Sequence, residues 1–494
     1  MPWYWDSRFL LSIKYAHVLP DEIFQAIHVQ LMLRHKTSSI QNSCELCSVY
    51  RNFAIGGFSV LLLFSIRTAP AIPIPSSPDS PPPDSYLDIP FFPQDIGLNK
   101  AMETLDDHGV KPFVKYWGDF LANPLGGKSQ VADWFQLVVF GTQWDLERLV
   151  GWKGGAWTIS GIDAGGDDIA RNIGTEFTPS QAVTFRGAAL FLLYFTQYLA
   201  DERMELKLGR MSAGSIYARL PMMGVPVSGA VNGNPISLLY NASGFHATGK
   251  ANWAGNIQIK PTADTYIQSG IFQATTKRMN GNYFNGLDFS FRRGDGIFLI
   301  AESGWSPTFF KAKDSSERHL GQLATHAFVG LPGLYQFGGY YQNYPMTTFL
   351  GTGSIQNIYG FYFQAQQMVW RSRSNKNHHF TIWSGLTYSP QMQIARFPVM
   401  AYGGVGGAGL IPYRDNDQLL LNYYIGGYSR DYSQRNIRKG KGSNTLATTL
   451  ELSYIFQLTR QIQFQPDLQY FIQPSGSKSI PNALVLGFQI SFIY

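Results

Sequence analysis

The final eleven residues constrain the fold more than any other stretch. Leu484, Leu486, Phe488, Ile490, Phe492 and Tyr494 alternate with Val485, Gly487, Gln489, Ser491 and Ile493. Successive side chains of a strand point to opposite faces, so the first set makes one continuous apolar face. The hairpin before it repeats the pattern. Leu450, Leu452, Tyr454 and Phe456 oppose Thr449, Glu451 and Ser453; after the turn Leu458-Thr459-Arg460, Ile462, Phe464, Leu468 and Tyr470 oppose Gln461, Gln463, Gln465, Asp467 and Gln469. Alternation alone does not say which face is outside. A soluble sandwich would need a second packed layer about 10 Å away, and a chain of 494 residues shows no compact second set of elements. The expected fold is therefore all-β: a transmembrane antiparallel up-and-down β-barrel of about 16 strands (16–18), oily side toward hydrocarbon and hydrophilic side around water.

Composition agrees. Charged residues are only 15% and aromatics reach 15%, with 50 glycines and a mean hydropathy of −0.11. The expected mature part has no run long enough for a membrane-spanning helix. A net charge of +6 without a clustered Lys/Arg face gives no reason to expect a nucleic-acid partner. Cys44 and Cys47 form a lone C-x-x-C, read as neither redox centre nor zinc half-site, since no second pair exists.

Five regions are expected. Residues 1–50 read as a non-native N-terminal extension, with the true start near Val49 or Tyr50. Residues 51–71 read as a signal peptide: Arg51, an apolar stretch from Phe53 to Ile66, then Ala69-Pro70-Ala71. Residues 72–97 are a Pro-rich linker, 98–109 a short periplasmic helix, and 110–494 the barrel. Within it, Val138, Phe140, Trp144 and Leu146 are expected outside, with Trp157 and Ile159 after the turn. Short turns are expected at Gly151–Gly155, Asp201–Arg203, Pro261–Asp264, Gly330–Gly333, Ser372–Asn377 and Arg414–Asp417. Long outer loops are expected at Gly161–Gln181, Ser212–His246 and Asp431–Asn444.

Four segments carry a family resemblance. Asp145-Leu-Glu-Arg-Leu-Val-Gly-Trp-Lys-Gly-Gly-Ala-Trp157 resembles the first periplasmic turn of the carbohydrate-selective OprB porins. Leu206-Lys-Leu-Gly-Arg210 followed by Met-Ser-Ala-Gly resembles their next strand, and Ile411-Pro-Tyr-Arg-Asp-Asn-Asp417 a late turn. Pro466-Asp-Leu-Gln-Tyr470 with Asn482-Ala-Leu-Val-Leu-Gly487 resembles their C-terminal signature. The resemblance implies a 16-stranded barrel in the bacterial outer membrane that passes glucose and similar small sugars by diffusion, with no cofactor.

For such a channel, Ser212–His246 is the expected inward loop. Glu205, Lys207, Arg210, Arg219, Gln258 and Lys260 are the candidate pore-lining residues. Arg210 shares parity with the leucines of its strand, so it reaches the pore only if the alternation breaks before it. Expected partners are small carbohydrates, outer-membrane lipid and lipopolysaccharide, and the barrel-assembly machinery, which would read the strand ending in Tyr494. Other motifs are set aside. Gly404, Gly406 and Gly409 fit G-x-G-x-x-G but precede Pro412 and a turn rather than a helix. His378-His379 has no carboxylate or cysteine close in sequence, Asn241-Ala-Ser243 is a sequon by form only, and Tyr340, Tyr341, Tyr344 and Trp370 read as interfacial girdle before sugar slide. An outer-membrane lipase lacks its G-x-S-x-G elbow. A soluble all-β sugar-binding protein or glycosidase, or a channel of another selectivity, is the remaining alternative.

Overall fold

A computed structural model describes residues 104–275, 284–310, 330–372 and 375–493. The extension, signal peptide, linker, cysteine pair and Tyr494 lie outside the described residues. Residues 104–107 are helical and lead through a turn at 108–109 into the first strand.

Sixteen long strands make one closed antiparallel wall. They are β1 (Val110–Leu125), β2 (Val131–Asp145), β3 (Gly155–Gly166), β4 (Gly187–Leu199), β5 (Met204–Met211), β6 (Asn252–Thr262), β7 (Thr265–Ala274) and β8 (Gly296–Trp305). They continue as β9 (Leu331–Gln342), β10 (Ile358–Arg371), β11 (His379–Tyr388), β12 (Val399–Ala408), β13 (Gln418–Gly427), β14 (Leu446–Gln457), β15 (Ile462–Ile472) and β16 (Ala483–Ile493). Each pairs with its chain neighbour, and β1 closes on β16, with Phe120 opposite Phe488 and Gly118 opposite Ile490. Closure pairs every one of these strands on both sides, the condition for crossing a bilayer with strands.

The exposure pattern is inverted relative to a soluble protein. In β14 and β16, Leu450, Leu452, Leu486 and Ile490 are exposed, whereas Glu451, Ser453, Gln489 and Ser491 are buried. The oily face is thus the outer one. At the short-turn end it carries an aromatic belt: Trp152 and Trp157 pack on Phe195, Trp305 on Phe309 and Tyr335, and Trp370 on Phe380.

Several boundaries differ from expectation. Leu146 opens a helical turn, α1 (Leu146–Val150), ended by Gly151 at φ 76°. Asp145 caps its start, accepting from the amides of Glu147 (2.9 Å) and Arg148 (3.3 Å). Strand β3 runs on to Gly166, so the loop predicted from Gly161 begins later. The turn predicted at Gly330–Gly333 is largely strand, because β9 starts at Leu331. The late turn is braced by Asp417. Both its oxygens accept from Arg414 at 2.7 Å, and it also accepts from the Tyr454 hydroxyl (2.9 Å) and the Gln457 amide (3.0 Å). Asp417→Ala orphans three donors at once and is expected to cost about 2–4 kcal/mol, read as a lower midpoint of heat-modifiable mobility on gels with unchanged conductance.

Candidate functional site: an inward loop latched across the lumen

The 40-residue connection 212–251 between β5 and β6 folds into the barrel, as its length and place predict. Its apolar residues pack on inward apolar residues of the wall. Leu220, Met223, Val227, Val231 and Ile236 meet Trp383, Met400, Tyr402 and Tyr424, while Tyr217, Leu238 and Phe245 meet Phe272, Phe298 and Ile300. A third apolar group, Phe135, Leu137, Ile162 and Phe191, lines the inner side of β2–β4 beneath Ala182 and Ala251. This departs from the expectation that the inner side of the wall is hydrophilic and encloses water. A loop of this length buries its own side chains only where the wall offers apolar partners, so part of the inner face is a core.

Two buried carboxylates hold the loop. Glu302 on β8 accepts from the Ala218 amide of the loop (2.9 Å), and from the wall groups Tyr266 Oη (2.8 Å), Gln268 Nε2 (2.7 Å) and Tyr362 Oη (2.8 Å). Glu451 on β14 accepts from the Val227 and Ser228 amides of the loop at 2.7 and 2.9 Å, and from Asn422 Nδ2 (3.1 Å) and Tyr424 Oη (2.5 Å). Four donors surround each carboxylate, which is what a buried charge requires. The latch extends through Gln342, whose Oε1 accepts from the Gly244 amide (2.9 Å), and through Asn241, whose Oδ1 accepts from the amides of Arg396 (2.8 Å) and Phe397 (3.3 Å). The Asn241 side chain is thereby buried in packing.

The six candidate residues separate. Glu205 and Lys207 face inward on β5 and pair with each other at 2.6 Å. Lys207 stands opposite Asn256, which accepts from the Tyr217 hydroxyl of the loop. Gln258 donates to Gln268 (3.4 Å), which donates to Glu302, so it joins the latch from below. Arg219 lies on the loop, its guanidinium donating to the Gly214 carbonyl (3.0 Å) and close enough to Lys115 of β1 for the two cations to repel. Lys260 shares the inward parity but is exposed at the short-turn end, beside the register shift between Ile259 and Thr262. Arg210 is misassigned. The alternation does not break: Arg210 sits opposite Leu193 and Trp253, on the parity of exposed Leu208, while Met211 turns inward. Arg210 is on the outer side of the wall.

Glu302 and Lys115 escaped the sequence reading. Glu302 follows Ile297-Phe298-Leu299-Ile300, apolar on both faces, so period-2 alternation could not place it; a lone acid in such a strand was the available signal. Glu451, by contrast, stood in a clean alternation.

Four other outer connections meet Tyr240 of the loop at one cluster. Arg396 pairs with Glu176 at 2.6 Å and lies 3.9 Å from the Tyr240 ring centre and 5.3 Å from that of Tyr432. Tyr432 also donates to Glu176 (2.7 Å), and Arg435 lies over Tyr432 and Phe349 at 4.4 and 5.1 Å. Burial opposes the Arg396 charge, but Glu176 and the tyrosine rings raise its pKa above the ordinary value. Among the set-aside motifs, Gly404 and Gly406 are strand glycines of β12, and His378 bonds Asp415 at 2.7 Å. No trio of possible metal ligands occurs among the described residues. Tyr341 and Trp370 face outward, whereas Tyr340 is packed inside against Ser389 (2.9 Å).

His246, at the loop's far end, is buried, and burial first and Lys250 second lower its pKa from 6.5 to about 3. The folded loop therefore excludes a proton that the unfolded chain takes up below about pH 6.5. Loop stability is expected to fall as pH drops from 6.5 toward 3. His246→Leu should flatten that dependence, measured as the pH profile of proteolytic nicking within 212–251.

Comparison with known proteins places this geometry. A family model described as "Carbohydrate-selective porin, OprB family" matches residues 132–494. "Porin B" of Pseudomonas aeruginosa is 24% identical over 426 residues, covering 77% of this chain and 87% of that protein. "Putative porin QuiX" of Acinetobacter baylyi is 20% identical over 382 residues, covering 71% and 81%. Among solved structures, the high-pH form of Pseudomonas putida OprB matches at a TM-score of 0.71 and 19% identity, covering 80% of this chain and 97% of that one.

Proposed function

Because the chain belongs to the OprB family of carbohydrate-selective porins, we propose that its selectivity is set where loop 212–251 crosses the lumen, between Arg219 on the loop and Lys115, Lys207 and Glu205 on the wall. As an outer-membrane sugar channel it gives hydroxyl-rich solutes a polar route through hydrocarbon. The transport is diffusion, with no covalent step assigned to any residue.

The observation that carries the reading is the double latch. Glu302 and Glu451 hold opposite stretches of one loop, so the loop keeps a fixed position rather than flapping. A fixed constriction can present Arg219, Lys115 and the Glu205–Lys207 pair to sugar hydroxyls as donors and acceptors of set geometry. Lipopolysaccharide would surround the exposed outer rows, and β16 would be the segment read by the assembly machinery.

Planar-bilayer recording tests the reading. Glucose is expected to lower the ion current in a concentration-dependent way as sugar occupies the constriction, and an amino acid of similar size is expected not to. Currents indifferent to glucose would overturn it.

A further inference from the structure

The misplaced arginine points outward, and what covers it is a piece of the chain's own outer loop. Residues 284–295 lie between β7 and β8, yet they reach sideways to β4, β5 and β6. Gly286, at φ 81°, sits where a Cβ would collide with the Leu190 carbonyl of β4. Arg210 donates to the carbonyls of Gly286 and Asp288 (3.1 Å), and to that of Ala251 (2.9 Å). Its guanidinium lies 5.1 Å from the Phe289 ring centre. Trp253, next to Arg210 on the outer row of β6, donates to the Phe289 carbonyl (2.9 Å) and stacks on Phe291 at 6.0 Å. Gln273, outward on β7, donates to Asp295 (2.5 Å).

We infer that residues 284–293 form a strap seated on the outer wall in the outer-leaflet interface, held there by Arg210 and facing membrane lipid. Irregular backbone beside hydrocarbon persists only if its polar groups are satisfied. Here Arg210 and Trp253 satisfy the strap carbonyls at positions 286, 288 and 289. The strap's other surface is apolar: Phe291 is 71% and Leu287 59% exposed. It continues the exposed band formed by Leu208, Ile271, Ile297 and Leu299 of the neighbouring strands. Arg292, paired with Asp288 of the strap at 2.8 Å, and Arg293 follow at its exposed end, where Arg293 is suited to the anionic headgroup level. Since β5 and β7 rise from short turns and β6 descends to one, the strap, which leads into the upper end of β8, lies at the long-loop, outer-leaflet end. Arg210 is thus a positioning residue for a lipid-contacting surface, and it does not line the pore.

The inference rests on the chain being an outer-membrane barrel. Its test uses the full chain with Cys44→Ser, Cys47→Ser and Phe291→Cys, labelled with an environment-sensitive fluorophore and reconstituted in phosphatidylcholine vesicles. Lipids brominated high on the acyl chain are expected to quench the label, and aqueous iodide is expected not to. Adding Arg210→Leu should reverse this, with bromine quenching lost and iodide quenching gained, while single-channel conductance stays at the parental value. Iodide quenching of the parent would place the strap in water and overturn the inference. Protection from both quenchers, with thiol cross-linking between copies of the unlabelled Phe291→Cys variant, would assign the surface to a second barrel and overturn it too. The parental label decides even if Arg210→Leu fails to fold, and a barrel that still conducts glucose would fail only this inference.

Discussion

Glu302→Ala combined with Glu451→Ala is expected to open the channel. The pair removes the acceptors of three loop amides, Ala218, Val227 and Ser228. Hydrogen bonds to buried charged groups contribute about 1.5–3 kcal/mol each, so the stretch between Ala218 and Ser228 loses on the order of 5 kcal/mol of anchoring. Residues 241 and 244 remain tied to Arg396, Phe397 and Gln342, and the Met222 amide and Val225 carbonyl to Gln366 and Gln465 (3.1 Å each), so the loop loosens between Ala218 and Ser228 and does not leave the lumen. Single-channel conductance should rise several-fold with added noise, and disaccharides slow in the parent should pass. Heat-modifiable mobility checks that the wall is intact. Glu302→Gln keeps one acceptor oxygen and should give a much smaller change. Unaltered conductance and sugar cut-off in a folded double variant would show that the latch does not set the bore.

Reversing the constriction cations should have the second largest effect. Arg219 and Lys115 repel each other, while Lys207 is neutralised by Glu205 at 2.6 Å. A unit charge at a wall a few ångströms from a passing ion contributes on the order of 1 kcal/mol in high-dielectric pore water. Arg219→Glu with Lys115→Glu changes two charges by two units each, so the cation-to-anion permeability ratio should rise at least about tenfold. Lys207→Gln should move it less. Reversal potentials in a salt gradient read both. Glucose flux should also fall in the reversed variant, because guanidinium and ammonium donors to sugar hydroxyls have been replaced by acceptors.

The wall was legible where one face meets hydrocarbon and the other meets polar groups. The three C-terminal strands are such a case, and Leu450, Glu451, Leu452 and Ser453 land on the faces their alternation assigns. Legibility failed where the inner face also packs. Phe298 and Ile300 of β8 are buried under the inward loop, which makes that strand apolar on both sides and leaves Glu302 without a pattern to mark it. The same cause hid the apolar lining of β2 and β3. Arg210 was a different failure. Its parity pointed outward correctly, but a guanidinium on a lipid face made sense only once strap carbonyls were seen above it. The inward loop was readable from its length and place; which wall groups hold it depends on contacts between residues more than 80 apart, such as Ala218 with Glu302 and Val227 with Glu451.

Liposome swelling tests the central claim most directly. Vesicles carrying the purified protein should swell quickly in glucose, more slowly in a disaccharide, hardly in a trisaccharide, and slowly in an amino acid smaller than glucose. Equal swelling in glucose and the amino acid, or none in any sugar, would contradict a latched, carbohydrate-selective constriction.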